Sequence, residues 1–236
     1  LGLGVVEAMV AQGARVTVVA RGAQDLSSVR SRLGVNTITA DIADEAFAKR
    51  ILGELSPDVL VLNAGLPPRM ARFDQMTWSD FTATWEHDVK AGLYWMQAAL
   101  NLPLRPSSRV LVVSSGAAVS GSPMSGGYGG AKRMLWLMAN YSNGVAQQKA
   151  LDILFQVIVP RQMVLGTGTG DSGANAYAQA HGITPQEFVT RFGKPMSPRQ
   201  FGDMVVDVLD GAQYAQGIAF GLSGDSGIKV LEPVAA

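Results

Sequence analysis

Ser115, Tyr128 and Lys132 bring a hydroxyl, a phenol and an ammonium onto one short stretch of chain. That stretch reads Arg-Val-Leu-Val-Val-Ser-Ser-Gly from Arg109, then a Gly/Ser-rich link, then Tyr-Gly-Gly-Ala-Lys ending at Lys132. Residues four apart share a helix face, so Tyr128 and Lys132 can address one reactant. A serine that follows an apolar, β-branched run lies just past a strand. Such a trio suits proton transfer to or from a substrate oxygen. A free phenol titrates near ~10, and a neighbouring ammonium favours its phenolate. Ser114 is the competing hydroxyl, and strand alternation turns it away if Ser115 points in.

The bulk composition narrows what such a site can serve. At 236 residues the chain suffices for one large α/β domain. Nineteen Lys and Arg balance nineteen Asp and Glu, so no net field recommends nucleic acid or an anionic membrane as partner. The chain has no cysteine, which excludes disulfides and thiolate chemistry within it and fits a reducing, cytoplasmic setting. With only His87 and His181 as histidines, no metal site is expected either. Apolar runs such as Val110 to Val113 stop far short of the ~18 residues of a membrane span.

The elements that must position the trio follow from periodicity. Residues 3 to 12 are helical in pattern and close at Gly13. Strands are expected at 15 to 20, 35 to 40, 59 to 62, 109 to 114, 152 to 159 and 217 to 222. Helices are expected at 25 to 33, 44 to 55 with Asp44 as N-cap, 79 to 101, about 125 to 147, and 200 to 209. Strands that are apolar throughout and alternate with helices predict a doubly wound, mainly parallel sheet in three layers. The Gly-rich stretch 161 to 198, with short helical patches near 174 to 180 and 185 to 192, reads as a substrate lid on a single domain.

Taken together, these residues resemble the classical short-chain dehydrogenase/reductase family. The resemblance rests on Asn63-Ala64-Gly65 after a strand, Ser115 thirteen residues before Tyr128, Tyr128-x-x-x-Lys132, and a strand ending in Pro160 ahead of a variable segment. It implies a Rossmann-like fold, an NADP cofactor and a carbonyl or alcohol substrate, with Tyr128 as acid/base, Ser115 holding the substrate oxygen and Lys132 binding the nicotinamide ribose. Family members open with a strand and a glycine-rich turn, of which Gly2 aligns with the last glycine. By that alignment roughly 10 to 20 residues are expected to precede Leu1.

The resemblance assigns further cofactor contacts. Ala20 stands where an acid would favour NAD, and Arg21 where an arginine pairs with the 2′-phosphate of NADP, so NADP is expected. Asp41 and Ile42 match the pair at the adenine edge, although Asp41 suits helix capping equally well. Asn63, Ala64 and Gly65 would admit the adenine ribose, and Thr167 would hold the carboxamide. Asp88 occupies the place of an asparagine that holds a water beside the lysine; an aspartate there can pair with Lys132 instead. Arg161 replaces the usual glycine after Pro160. The long helices carry apolar residues around much of their girth, including Leu93 to Met96 and Met134 to Met138, which predicts a homodimer or homotetramer. Two readings result: an NADP-dependent oxidoreductase, and a non-catalytic NADP-binding member of the same fold.

Overall fold

The computed structural model describes residues 1–232. Its elements run α1 (Gly2–Ala11), β1 (Thr17–Ala20), α2 (Ala23–Leu33), β2 (Asn36–Thr39), α3 (Glu45–Leu55) and β3 (Val59–Leu62). There follow α4 (Trp78–Thr84), α5 (Lys90–Asn101), β4 (Ser108–Val113), α6 (Ala117–Ser120), α7 (Tyr128–Gln148) and β5 (Ile153–Pro160). Last come α8 (Gly168–His181), α9 (Pro185–Thr190), α10 (Pro198–Asp210), β6 (Ala219–Ser223) and β7 (Gly227–Leu231).

Strands β3 to β6 are parallel neighbours in sequence order, and β7 joins β6 antiparallel. Strands β1 and β2 form a separate parallel pair. Side-chain packing joins that pair to the rest, since Val19 and Ile38 lie against the cluster built by α3, α5, α7 and the larger sheet. Strand alternation divides the core into two layers. Val110, Val112, Phe155 and Val157 face the helices α3, α5 and α7, while Leu111, Val113, Ile158 and Phe220 face α1 and α10. The expected three-layer, mainly parallel architecture is the one found.

Two glycines set how closely the second layer packs. A Cβ on Gly4 would run into the backbone of Pro198, and one on Gly202 into the backbone of Gly4. Only bare backbone lets α1 and α10 cross at this distance. Arg109 ties α10 to the sheet from below: its guanidinium donates to the carbonyls of Val208 and Leu209, which end the helix, and to Gln156.

Three local expectations change. The helix expected over 79 to 101 is interrupted, for residues Trp85–Val89 form a π-helical turn between α4 and α5. Helix α8 is longer than the patch at 174 to 180 because Thr167 caps it seven residues earlier. Strand β7 and the short helix α6 have no counterpart in the periodicity. β7 is an edge strand closed by a tight turn at Gly227 (φ 64°), and edge strands carry a weak apolar signal.

Candidate active site

A cleft of about 730 Å³ lies along the carboxyl ends of the parallel strands. In open α/β sheets the crevice at this end is where ligands bind, because loops there are free to diverge while the strands fix their roots. Of the residues singled out in the sequence, Ser115, Tyr128, Lys132, Asp88, Arg21, Ile42, Asn63, Ala64, Gly65 and Thr167 line it. Gly2 and Asp41 stand outside the lining. Gly2 backs Asn63: a Cβ there would come within 2.5 Å of the Asn63 amide. Asp41 is half exposed and accepts from the backbone N–H of Ala43 at 2.9 Å, closing its own turn.

Tyr128 and Lys132 meet as their spacing requires, and Ser115 lines the same cleft. Tyr128 is the first residue of α7, and the Lys132 Nζ lies 5.6 Å from the Tyr128 ring centre. Ser115 follows β4 in the turn into α6, half-buried, its Oγ accepting from the backbone N–H of Ala117 at 3.2 Å. The competing Ser114 is buried and spends its hydroxyl on the carbonyl of Lys132 at 2.9 Å, which fastens β4 to α7 under the site. Ser114 therefore serves position and Ser115 presents to the cleft. Tight packing holds α7 there: a Cβ on Gly129 would meet the carbonyl of Ala117 at 2.9 Å, and Trp85 donates its indole N–H to the carbonyl of Gly127 at 3.0 Å.

Lys132 is 6% exposed, so its charge needs a partner. Asp88 supplies it from the π-helical turn, with Oδ2 at 3.2 Å from Nζ. That oxygen has no directional hydrogen bond, so the contact is ionic. The other oxygen, Oδ1, accepts from the backbone N–H of Leu66 at 2.9 Å and faces His87 Nδ1 at 3.0 Å. Burial opposes the charged carboxylate, but the His87 hydrogen bond, the Lys132 charge and the Leu66 amide outweigh it and hold Asp88 below the usual carboxylate range. Asp88 also lies directly under the Asn63–Gly65 turn, where a Cβ on Gly65 would come within 2.5 Å of Oδ2. One carboxylate thus couples the turn after β3 to the lysine on α7.

Arg21 is exposed at the end of β1, and among the described residues its guanidinium makes no hydrogen bond or ion pair while lining the cleft. Thr167 faces the cleft but is occupied as the N-cap of α8, donating to Val164 and accepting from Gly170. Arg161 reaches the lining, with its stem lying over Gly221 of β6, where a Cβ would meet it at 2.7 Å. Most of the apolar girth of α5 and α7 goes into the chain's own core, including Trp95, Met96, Leu100, Leu135, Trp136 and Met138; Leu93 remains exposed. His87 is the site residue that the sequence did not flag. Its signal was slight: one histidine beside Asp88 on a helix of otherwise mixed pattern.

At the outer end of the cleft, Tyr177 and Phe188 stack with ring centres 5.3 Å apart, and Phe192 packs edge-on to Phe188. The Tyr177 hydroxyl bonds to Ser122 Oγ and accepts from the backbone N–H of Met124, which joins α8 to the loop ahead of α7. Met70 and Met163 complete the apolar lining there, whereas Leu165 does not reach it.

A sequence profile described as short chain dehydrogenase matches residues 1–164. A short chain dehydrogenase/reductase, AacuD, of Aspergillus aculeatus is 33% identical over 127 residues, half of this chain and 45% of that protein. L-xylulose reductase of Homo sapiens is 33% identical over 92 residues, 39% of this chain and 38% of that protein. The matched stretch thus spans less than half the length of each curated relative. Among solved structures, sorbitol-6-phosphate 2-dehydrogenase of Erwinia amylovora superposes with a TM-score of 0.79 at 17% identity, covering 95% of this chain and 94% of that one. A variant of actinorhodin polyketide ketoreductase with NADPH gives 0.78 at 21% identity, covering 94% and 91%. A short-chain dehydrogenase from Streptomyces avermitilis gives 0.73 at 21% identity, covering 95% and 84%.

Proposed function

The chain belongs to the short chain dehydrogenase family, and from that premise we propose that it is an NADP-dependent oxidoreductase acting on a secondary alcohol or its ketone. The observation that carries the reading is Tyr128 in one cleft with Ser115, beside a buried, charge-compensated Lys132. The cleft suits a dinucleotide. It follows the strand ends from Ala20 and Arg21, past Ala40 and Ile42, to Asn63, Ala64 and Gly65, and Gly65 has no Cβ to displace Asp88. Arg21, unpaired among the described residues, would take the 2′-phosphate, for which its planar fork is suited. Lys132 and Thr167 would face the nicotinamide half. When bound, that cofactor supplies or accepts the hydride.

The protein's own groups handle the proton. Tyr128 donates its phenolic proton to the carbonyl oxygen in reduction and removes it in oxidation, Ser115 holds that oxygen by hydrogen bond, and Lys132 stabilises the phenolate. The outer lining of Tyr177, Phe188, Phe192, Met70 and Met163 favours a partly apolar substrate, and residues 161 to 198 act as its lid. The reading includes a homodimer or homotetramer through α5 and α7, whose Leu93 and Tyr141 are exposed, and a cytoplasmic site of action. No helix among the described residues is long and apolar enough to cross a membrane.

The test is NADPH consumption over a panel of ketones and aldehydes, with Tyr128→Phe alongside. Turnover should fall by about 100-fold or more in the variant while NADPH still binds. Binding of NADPH without Tyr128-dependent turnover on any carbonyl would favour the non-catalytic reading.

A further inference from the structure

Four Asp, Glu, Lys or Arg side chains line the cleft: Arg21, Asp88, Lys132 and Arg161. Asp88 and Lys132 neutralise each other at 3.2 Å. Arg21 and Arg161 are exposed, and among the described residues neither guanidinium has an acidic partner or a hydrogen bond. The cleft thus carries two uncompensated positive charges and no uncompensated negative one, a field that draws anions. The 2′-phosphate of the proposed cofactor accounts for Arg21 and leaves Arg161 over.

Arg161 stands beside the reacting end of the cleft. It follows Pro160, the last residue of β5, whose carbonyl accepts from the N–H of Gly116 at 2.8 Å. A Cβ on Gly116, the residue after Ser115, would lie 3.6 Å from the Arg161 Cα. The base of Arg161 is fixed on both sides. Its own N–H donates to the Leu222 carbonyl at 2.9 Å, and the buried Gln162 next to it donates to the Lys194 carbonyl at 2.9 Å and accepts from the Gly224 N–H at 2.8 Å. The Arg161 stem lies over Gly221, a buried residue of β6, where a Cβ would come within 2.7 Å of Cδ and 3.3 Å of Cγ. Glycine inside a strand weakens it and marks a place where another group approaches closely, and here that group is the arginine stem. A guanidinium whose stem is already seated loses little freedom on binding, and its planar donors match a carboxylate or phosphate bidentately.

We propose that Arg161 is a specificity-determining residue that binds an anionic group of the substrate, a carboxylate or a phosphate monoester. The carbonyl of the same compound meets Ser115 and Tyr128, and its apolar part lies along Tyr177, Phe188 and Met163. The inference deepens the oxidoreductase reading above and rests on it. Strands β4 and β6 flank β5, so a stem over β6 stands roughly 10 Å from the β4 end that carries Ser115. That span selects an anion several bonds from the carbonyl over a 2-oxo acid.

Two measurements test this. The first is kcat/KM with NADPH over heptanoates that carry the ketone at increasing distance from the carboxyl, each beside its methyl ester, with phosphate monoesters of hydroxyketones as a further arm. Wild type should prefer an anion over its neutral counterpart by about 10- to 100-fold, the value of a charge-assisted hydrogen bond, and most where the ketone is distant. The preference should lie in KM rather than kcat, because the contact is the same in ground and transition states. Arg161→Leu should abolish it, and Arg161→Lys should keep part of it as a point charge. Whichever anion shows a preference that Arg161→Leu removes is the one recognised. An anion-to-ester ratio that Arg161→Leu leaves unchanged overturns the proposal; if NADPH affinity falls instead, the residue belongs to the cofactor. The second is calorimetric titration of heptanoate and heptanamide into the NADP-loaded protein, which reads the contact without turnover. Heptanoate should bind about 10-fold more tightly or better, and Arg161→Leu should equalise the two. Equal binding by wild type overturns the anion site. Arg161-dependent binding of heptanoate to a protein that reduces no carbonyl overturns the oxidoreductase reading and supports the anion site.

Discussion

The Asp88–Lys132 pair fixes the ammonium beside Tyr128, and its energetic weight can be worked from its geometry. At 3.2 Å, with an effective dielectric of about 20, the gross attraction is about 5 kcal/mol. Desolvation of two buried ions cancels much of that, yet removing one partner strands the other and typically costs about 3 to 5 kcal/mol. In Asp88→Asn the amide oxygen still accepts from Leu66, so the loss should sit at the lower end, about 3 kcal/mol. Lys132→Met should cost a similar amount, because Asp88 keeps its contacts to Leu66 and His87. With both charges gone nothing is stranded, so the double variant should be more stable than the sum of the single losses predicts, by about 2 kcal/mol. Urea unfolding at pH 7, followed by circular dichroism and tryptophan fluorescence, measures all three variants. Additivity within about 0.5 kcal/mol would refute the claim that the two charges compensate each other.

Three further predictions rest on separate observations. Asp88 has a folded-state pKa below its ordinary value, so its contribution to stability is full above the unfolded-state pKa of ~3.9 and disappears as pH falls through the lower, folded value. The stability gap between wild type and Asp88→Asn should therefore narrow below about pH 4; a gap independent of pH from 7 to 2 contradicts the assignment. Arg21→Ala should weaken NADPH binding by about 10- to 100-fold, the value of a hydrogen-bonded charge contact of about 1.5–3 kcal/mol, and leave NADH binding unchanged. Equal losses for both cofactors in fluorescence titration would remove Arg21 from 2′-phosphate recognition. Gly202→Ala should destabilise the fold by about 3 kcal/mol or more, since its Cβ would strike the backbone of Gly4 rather than a movable side chain. A thermal melt within a degree or so of wild type would mean that α1 and α10 separate more easily than their packing implies.

The sequence by itself determined the layers and the pairing of Tyr128 with Lys132. Apolar strands with helices between them admit few arrangements other than a doubly wound sheet, and a four-residue spacing on a helix brings Tyr128 and Lys132 together whatever surrounds them. Arg21 at the end of β1 and Asn63-Ala64-Gly65 after β3 were legible for the same reason: their positions follow from strand ends, which periodicity locates. The position of Thr167 was legible too, but not that its hydroxyl caps α8. What only the tertiary structure decided lies where the chain leaves regular periodicity. Nothing in the pattern of residues 79 to 101 shows the π-helical turn that buries His87 and Asp88, since one added residue in a helical turn alters which side chains face inward without altering composition. Whether Asp88 met Lys132 or water depended on residues 44 positions apart along the chain. That is a distance in space, set by how α5 and α7 pack on one face of the sheet, and no local spacing encodes it.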